Sequence, residues 1–434
     1  MTFKLAPPQR VLIIGGGEFG AVTALELAKG PYKGQAHLIT ILDRSPTPPA
    51  VDAASYDLNK IVRQEYSDRL YAKLAHESIL LWRNDPDWKD NYHESGIVVS
   101  VRKDNQRNEY VQRSLEANSM PGMENPGLDA RVLPERNDVE GVYPSKVVLG
   151  DFADESVYVN QAGGWAYSRG ATEAAISRCR TVGVTFKAGT AKHLIIDQEK
   201  KRVLGVETES GEQHFGDKVI VACGAWTPTL VPELKVECLP TGQVAGMIQL
   251  TNEEYERYKD VPVTRLIDNG FYIFPPSATG IVKFALHQKG YLNPTGNYPS
   301  LPRTVLSRGY EFQRVPEDAR QQLLVGLKRI YPELAAKPWH ASRLCWYSDR
   351  PNGDWLLDYH PDYNETLFVA AGCCGHGFKF MPVLGRLIHQ SLEGKLPKEY
   401  ADIWAWVHRR PERRDESRTF SERKRLEPDF KTKL

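Results

Sequence analysis

The apolar and polar positions of the first forty-five residues predict a strand, a helix and a second strand. Residues 10–14 (RVLII) form a short β-branched apolar run that is typical of a buried strand. Residues 21–30 (AVTALELAKG) favour a helix and end on Gly30, a common helix stop. Residues 37–43 (HLITILD) alternate into a second strand that ends at Asp43. This order predicts the first βαβ unit of a Rossmann-type fold.

A glycine-rich turn, GGGEFG at residues 15–20, joins the first strand to the helix. Gly15 suits the tight turn, Gly17 lets the backbone approach a pyrophosphate, and Gly20 allows close helix–strand packing. Asp43 lies 23 positions beyond Gly20, where a carboxylate can bind the ribose hydroxyls of a dinucleotide. The pattern does not separate FAD from NAD, and a glycine turn that binds nothing is the alternative. The cofactor-binding candidates in this unit are Gly15, Gly17, Glu18, Phe19, Gly20, Asp43 and Arg44.

Two further strand–glycine patterns occur far along the chain. Residues 218–226 (KVIVACGAW) run from a buried strand into Gly224, and residues 367–379 (LFVAAGCCGHGFK) precede an amphipathic helix. Both patterns indicate strands that deliver glycine turns to one cofactor, so the dinucleotide domain is discontinuous. Between them, residues 231–340 contain strand-like segments such as GQVAGMIQL and GIVKFALH, which predict a mostly antiparallel sheet over the cofactor.

Composition narrows the class of protein. Lys and Arg number 56 against 55 for Asp and Glu, and this balance argues against a nucleic-acid partner. No stretch approaches the roughly 18 apolar residues of a membrane span, and residues 1–10 lack an apolar signal core, so no membrane association is expected. The six cysteines have neither metal-ligand nor disulfide-framework spacing, which predicts no metal site and favours a reducing compartment.

The last three residues, Thr432, Lys433 and Leu434, resemble the peroxisomal Ser-Lys-Leu address. A working address would make the peroxisomal import receptor a partner. The alternative is a chance ending on a charged tail that begins at His408. Peroxisome and cytoplasm therefore both stay open.

Several segments, spaced over nearly the whole chain, resemble the family of monomeric sarcosine oxidases and fructosyl amino acid oxidases (amadoriases). They are GGGEFG, DLNKIVRQEY, KVIVACGAW, GFYIFPPSATGIVKF, ASRLCWYSD, LLDYHP and CGHGFK. The resemblance implies an FAD-dependent amine oxidase that acts on CH–NH donors, uses O2, releases H2O2 and is a monomer. The length of the chain and its segment WRNDPDWKDNYHESG most resemble the fungal amadoriases.

With FAD as the implied cofactor, the predicted fold class is α/β, a Rossmann-type FAD-binding domain with a second α+β substrate domain on a mostly antiparallel sheet. A chain of 434 residues is long enough for two domains. We assign residues 1–89, 151–230 and 341–434 to the FAD-binding domain. Residues 90–150 and 231–340 are assigned to the substrate domain.

The resemblance also implies roles for residues around the flavin. Cys345 matches the cysteine that carries FAD covalently, although a small buried apolar residue is the commonest fate of a free cysteine. Lys283 matches a lysine that helps O2 accept electrons, because an ammonium stabilises the superoxide charge. Lys60 matches a cation beneath the flavin. The segment CGHGFK adds the cofactor candidates Gly375, Gly377, Phe378 and Lys379.

For the substrate, the resemblance places Arg63 and Lys379 on a carboxylate, His287 and His376 beside the flavin as catalytic candidates, and Tyr272 in the pocket. An arginine and a lysine that converge on one point suit an α-carboxylate. Taken singly, Arg63 could pair with an internal carboxylate, and His287 could be a core histidine.

The pocket departs from the amadoriases, which have a glutamate where this chain has His287 and an arginine where it has His376. We therefore expect a secondary amine such as an N-methyl amino acid, a cyclic imino acid or saccharopine, oxidised at the C–N bond. The alternatives are a fructosyl amino acid oxidase, and an NAD-dependent or electron-transferring dehydrogenase.

Overall fold

The computed structural model describes residues 5, 7–125, 128, 130–152, 154–307, 315–407, 418 and 422–427. The C-terminal Thr-Lys-Leu lies outside the described residues, as does most of the tail that begins at His408. No helix within the described residues has the length and apolar composition to cross a membrane.

The regular elements of the described residues are strands and α-helices, with several strands in succession at β9–β13 and β15–β18. The strands are β1 (Val11–Ile14), β2 (Ile39–Asp43), β3 (Lys60–Val62), β4 (Tyr92–His93), β5 (Ile97–Arg102), β6 (Arg131–Val132), β7 (Glu155–Asn160), β8 (Gly164–Ala166), β9 (Thr185–Ala188), β10 (Ala191–Asp197), β11 (Arg202–Thr208), β12 (Gln213–Phe215), β13 (Lys218–Val221), β14 (Leu239–Gln249), β15 (Val263–Leu266), β16 (Phe271–Ile273), β17 (Ile281–Leu286), β18 (Tyr291–Leu292), β19 (Ala341–Asp349), β20 (Leu356–Tyr359), β21 (Leu367–Ala371) and β22 (Lys424–Arg425). The α-helices are α1 (Glu18–Lys29), α2 (Arg69–Asn84), α3 (Asn108–Asn118), α4 (Arg136–Glu140), α5 (Ser168–Thr181), α6 (Thr227–Leu230), α7 (Asn252–Tyr258), α8 (Glu317–Ile330), α9 (Pro332–Ala335), α10 (Met381–Leu392) and α11 (Lys398–Trp404).

The predicted βαβ unit forms the centre of a six-stranded sheet with the order β20-β21-β13-β1-β2-β9. Strand β1 lies between β13 and β2 and is parallel to both, and the edge strand β20 is antiparallel. Alternate residues of β1 face opposite sides. Val11 and Ile13 join the core under helices α1, α5 and α10, whereas Leu12 and Ile14 join a second core under the three-stranded sheet β10-β11-β12. Because both faces are covered, the strand sequence is a continuous apolar run rather than an alternating one.

The larger sheet follows the order β22-β18-β14-β17-β16-β15-β5-β7-β6, and β19 also pairs with β14. Most of its pairings are antiparallel, as predicted, while β15 with β5 and β18 with β22 are parallel. Helix α8 packs against one face of this sheet.

The exact partition into domains stays a prediction, but the sheets divide the chain differently at three places. Strands β7, β19 and β22 fall inside the ranges assigned to the FAD-binding domain, yet they pair with β5, β14 and β18, respectively, in the larger sheet. Strand pairing depends on partners more than 50 residues away in sequence, so local patterns cannot assign a strand to a sheet.

Candidate active site

The glycine turn between β1 and α1 has the close approaches that its sequence predicts. Gly15 has a φ of +106°, and a Cβ there would lie 2.4 Å from the carbonyl oxygen of Ala222. A Cβ on Gly20 would lie 1.9 Å from the carbonyl oxygen of Gly15, so helix α1 can approach β1 only with glycine there. A Cβ on Gly17 would meet only the Ser55 hydroxyl, at 3.2 Å. The backbone therefore does not demand glycine at position 17, which lines a cavity.

The carboxylate that ends β2 is tied to this turn. One oxygen of Asp43 accepts a hydrogen bond from the Gly16 N–H (2.7 Å), and the other accepts from the Ser45 N–H (2.8 Å). Burial raises the pKa of Asp43, and these two backbone donors oppose that shift. Arg44 bonds Asp52 at 2.5 Å and lies over the Trp226 ring at 3.8 Å. The sequence analysis did not identify Asp52 or Trp226.

Two adjoining cavities share the lining residues Glu18, Ala54 and Cys373. The first, of about 390 Å³, is lined by the glycine turn, the end of β2, the Gly224 turn and the end of β21. The second, of about 90 Å³, lies between β3, the larger sheet and the turn after β21. A carboxylate oxygen of Glu18 is buried at the junction without a hydrogen-bond partner, and burial raises the pKa of this group.

The predicted site residues come together in these cavities, although their roles stay predictions. Gly20 lines neither cavity and acts through helix packing. The first cavity is lined by Gly15, Gly17, Glu18, Phe19, Asp43, Arg44 and Gly224. The second is lined by Lys60, Arg63, Tyr272, Lys283, His287, Cys345, Gly375, His376, Gly377, Phe378 and Lys379.

Two lysines share one buried carboxylate at the base of the second cavity. Lys283 donates to Asp57 at 2.6 Å and to the main-chain carbonyl of Asn59 at 2.8 Å, and Lys60 donates to the same Asp57 oxygen at 3.4 Å. Burial alone would raise the pKa of Asp57, but the charges of Lys283, Lys60 and Arg343 outweigh it and hold the pKa below its usual value. Burial lowers the pKa of Lys283, and Asp57 opposes that shift.

Cys345 lies in β19, opposite Gln243 of β14, and its side chain is 7% exposed. Arg343, two residues earlier on the same face of the strand, donates to the main-chain carbonyls of Ala53 and Tyr56. These bonds hold β19 against the segment that leads to Asp57 and Lys60. The Cys345 sulfur is near enough to Lys60 and Lys283 to interact electrostatically with both.

A hydrogen-bonded chain connects the turn after β21 with the loop after β3. Lys379 donates to the Tyr66 hydroxyl at 3.0 Å, and that hydroxyl lies 3.4 Å from Nδ1 of His376. Nε2 of His376 lies 2.9 Å from the carbonyl oxygen of Gly353, which fixes the ring at its other end. Arg63 lies over the Tyr66 ring at 4.6 Å. Burial lowers the pKa of Lys379 well below its usual value, and Arg63 and Arg265 lower it further.

The opposite wall of the second cavity belongs to the larger sheet. Tyr272 of β16 and Arg265 of β15 are cross-strand neighbours, and His287 follows the end of β17. Burial lowers the pKa of His287 well below its usual value, and Arg418, Arg265, Arg63 and Lys379 act in the same direction. His287 is therefore held neutral.

Four further residues line or support the second cavity and were not predicted from the sequence: Asp57, Tyr66, Arg265 and Tyr347. Asp57 and Tyr66 lie in the segment DLNKIVRQEY, beside the predicted Lys60 and Arg63. Arg265 interrupts the apolar run VPVTRLI, as Lys283 interrupts GIVKFALH. Because a strand rarely buries a charged side chain without a use for it, this interruption was a signal for Arg265.

The glycine turn predicted to bind a dinucleotide thus lines a cavity that adjoins a smaller one lined by buried cations. A family model described as "FAD dependent oxidoreductase" (DAO) matches residues 10–391, and the chain belongs to this family. FAD is thus its cofactor, and the unpartnered Glu18, the Gly17 opening and the two adjoining cavities fit it.

The relatives agree with this assignment. The chain is 32% identical to the L-saccharopine oxidase of Schizosaccharomyces pombe over 414 residues, which cover 91% of this chain and 92% of the relative. It is 25% identical to the monomeric sarcosine oxidase of a Bacillus species, covering 88% and 92%. Among solved structures, the fructosyl peptide oxidase from E. terrenum superposes with a TM-score of 0.86 at 28% identity, covering 98% of each chain. The predicted family, the α/β fold class and the class of FAD-dependent amine oxidases are confirmed.

Proposed function

We propose that this enzyme oxidises the C–N bond of a secondary-amine amino acid with O2, giving an imine and H2O2. The observation that carries the proposal is the second cavity, where Arg63 and Lys379 adjoin the buried pair of Lys283 and Asp57. In the balanced reaction the substrate loses two electrons and two protons as the C–N single bond becomes a C=N bond, and O2 takes up both electrons and both protons to give H2O2. Water then hydrolyses the imine.

Arg63 and Lys379 would bind the substrate carboxylate. The Nη1 atom of Arg63 is buried without a hydrogen-bond partner, so a carboxylate can occupy the guanidinium without displacing another bond. Lys379 is anchored by its carbonyl oxygen, which accepts hydrogen bonds from Ser78 (2.6 Å) and Trp82 (2.7 Å). Its ammonium group supplies a second, localised charge.

The histidines would hold the amine in its reactive form. A neutral secondary amine has the lone pair that favours loss of hydride from the adjacent carbon. His287 is held neutral by burial and by the surrounding cations, and the same cations disfavour a protonated amine. His376, oriented by Tyr66 and the Gly353 carbonyl, would position the amine.

Bound FAD would supply this site with a two-electron acceptor that O2 can reoxidise. The residues of the glycine turn, with Asp43 and Gly224, would hold its dinucleotide portion, and Lys60 and Lys283 would supply positive charge near the flavin. We propose that Cys345 carries FAD through a thioether. This bond replaces one hydrogen of the thiol and one of a flavin methyl group, and O2 can accept both.

Acid denaturation followed by peptide mapping tests the attachment. Flavin mass on the Cys345 peptide supports it, and colour that washes free removes Cys345 from this role while leaving the FAD fold intact. A matched Cys373→Ser variant, which changes the other cysteine that lines the second cavity, should keep the flavin attached.

A panel of amines tests the reaction itself. We expect H2O2 release with a secondary-amine amino acid among sarcosine, N-methyl amino acids, L-pipecolate and L-saccharopine, and rapid reoxidation of the reduced flavin by air. Flavin that is reduced by these amines but not reoxidised by O2 would indicate a dehydrogenase instead.

A fructosyl amino acid oxidase is the second candidate, because the superposition on fructosyl peptide oxidases extends over nearly the entire chain. His287 and His376 argue against it, since they stand where the amadoriases have their sugar-binding glutamate and carboxylate-binding arginine. Faster H2O2 release with fructosyl-glycine or fructosyl-valine than with every secondary amine above would reverse this order.

We also propose that the enzyme is a monomer, on the support of the relatives named monomeric sarcosine oxidase. We further propose that it is imported into peroxisomes through the terminal Thr-Lys-Leu, with the cytoplasm as the alternative location. The support is its likeness to the Ser-Lys-Leu signal and the relatives named peroxisomal sarcosine oxidase in human and mouse, at 25% and 24% identity. A fluorescent fusion that keeps the C-terminus free should enter peroxisomes, and removal of the last three residues should leave it in the cytosol.

A further inference from the structure

Two buried arginines of the second cavity lack a hydrogen-bond acceptor among the residues that the structure describes. Arg63 and Arg265 both line this cavity and are 5% and 7% exposed. Across the described residues, neither guanidinium has a hydrogen bond or an ion pair. Arg63 is expected to bind the substrate α-carboxylate, but that assignment does not account for Arg265.

Other buried arginines of this chain show how unusual this is. Each of four with similar exposure donates to an oxygen acceptor: Arg107 to Ile267 (2.7 Å), Arg303 to Glu427 (3.2 Å), Arg350 to Trp355 (2.6 Å) and Arg418 to Asp349 (2.5 Å). A buried guanidinium without such an acceptor is costly, so a folded protein retains one where a ligand supplies the acceptor.

The protein itself supplies too little negative charge for this part of the cavity. Glu65 is buried nearby and raises the pKa of Arg265, but both of its carboxylate oxygens lack hydrogen-bond partners and it does not line the cavity. Glu18 also lines the cavity, but it acts on Lys60 and Lys379, so Glu65 is the carboxylate that faces the two arginines. An α-carboxylate on Arg63 would leave Arg265 without a hydrogen-bond acceptor, and a second carboxylate would supply one.

The two arginines also belong to different elements. Arg63 follows β3, with Lys379 beside the same Tyr66, while Arg265 lies in β15 of the larger sheet next to Tyr272. One carboxylate can therefore be held by Arg63 and Lys379, and a second by Arg265 from the wall of the larger sheet.

We propose that the substrate is an N-substituted acidic amino acid, and that Arg265 binds its second carboxylate. This inference rests on the proposed function, since it takes Arg63 and Lys379 as the α-carboxylate site. Arg265 is then a specificity-determining residue, and substrates with one carboxylate, such as sarcosine, are poor substrates.

The test compares N-methyl-L-glutamate with N-methyl-L-glutamine, which have nearly the same shape and differ in one charge. Anaerobic flavin reduction by the FAD-loaded enzyme gives the ratio of reduction rate to dissociation constant for each amine. We expect N-methyl-L-glutamate to be favoured about 10- to 100-fold, which is the range for one hydrogen-bonded charge pair. Arg265→Gln should lose this preference because the ratio falls for N-methyl-L-glutamate and stays the same for N-methyl-L-glutamine. Arg265→Lys should retain part of the preference.

A matched control is Arg107→Gln, which removes a buried arginine outside the cavity and should keep the preference whatever it does to stability. Equal reduction by both amines in the wild-type enzyme would overturn the inference, and so would an unchanged preference in Arg265→Gln. If Arg265→Gln does not fold, the inference is still tested by the wild-type preference and by the preference that Arg265→Lys retains.

The outcomes also separate this inference from the proposed function. If sarcosine and N-methyl-L-glutamine reduce the flavin as fast as N-methyl-L-glutamate does, the proposed amine oxidase function stands and Arg265 has no role in specificity. Absence of flavin reduction by every secondary amine would remove the proposed function itself.

Discussion

At the scale of single residues, the second cavity is organised by charges that the protein only partly neutralises. Asp57 accepts hydrogen bonds from both Lys283 and Lys60, whereas Lys379 donates to a hydroxyl and a carbonyl rather than to a carboxylate. The two lysines at Asp57 thus have an internal counter-charge. Among the described residues, Lys379 has only uncharged hydrogen-bond partners, so an anionic substrate would supply its counter-charge.

The first prediction concerns Lys283 and the reaction with O2. Lys283→Met should slow flavin reoxidation by about 100-fold, because one charge aimed at the developing superoxide is lost. Flavin reduction should change much less. Stopped-flow measurement of the two half-reactions checks this, with Lys289→Met, an exposed lysine nearby, as the control. Equal losses in both half-reactions would remove this role for Lys283.

The second prediction concerns the pH dependence that Lys379 introduces. Burial and the charges of Arg63 and Arg265 lower the pKa of Lys379, so its charged form exists only below that lowered pKa. Binding of a carboxylate should therefore be tight at low pH and weaken as pH rises through that pKa, by up to about tenfold per pH unit.

Acetate is a suitable probe because it has no amine that titrates. Its dissociation constant can be followed through the flavin spectrum across the pH range. Lys379→Met should bind acetate weakly at every pH, and the exposed Lys89→Met should keep the wild-type profile. A wild-type profile in Lys379→Met would assign the titration to another group.

At the scale of elements, the glycine turn combines two different requirements that substitution can separate. The Gly20→Ala side chain would collide with the Gly15 carbonyl, whereas the Gly17→Ala side chain would meet only the end of the Ser55 side chain. Position 20 thus serves the packing of α1 on β1, and position 17 serves the cavity.

The third prediction follows from this difference. Gly20→Ala should lower the free energy of unfolding of the FAD-free protein by more than about 3 kcal/mol, because backbone must move. Gly17→Ala should leave that stability within about 1 kcal/mol of wild type and still reduce FAD content. Denaturant unfolding of the FAD-free forms and the flavin absorbance per mole of protein measure both effects. Similar destabilisation by the two variants would contradict the assignment.

At the scale of the whole molecule, the two cavities lie where the six-stranded sheet meets the larger sheet. Residues from β1, β2, β13 and β21 line the first cavity or lead into it, while β15, β16, β17 and β19 line the second. Arg418 also joins these parts, because it bonds both oxygens of Asp349 at the end of β19 and the carbonyl of Cys374 in the turn after β21.

The fourth prediction tests this connection. Arg418→Met should lower the free energy of unfolding by about 3–5 kcal/mol, because it leaves Asp349 buried without its ion-pair partner. Arg418→Met with Asp349→Asn should be less destabilising than the sum of the single variants, since the partner charge is also gone. Additive losses in urea unfolding would show that the pair does not connect these elements.

The sequence by itself determined the parts of this protein whose cause is local. The strand-turn-helix order of residues 10–43, the glycines at 15 and 20, and the ends of β2 and α1 follow from side-chain periodicity and from the space a Cβ would need. Resemblance extended this to FAD, to the amine oxidase class and to candidates such as Lys283.

Only the tertiary structure decided which distant residues meet. Asp57 and Lys283 are 226 positions apart, and β19 joins β14 across the boundary predicted from sequence. Arg265 shows the physical reason most clearly. Its position in β15 indicates burial, but whether a buried guanidinium has an internal acceptor depends on what every neighbouring element brings to it.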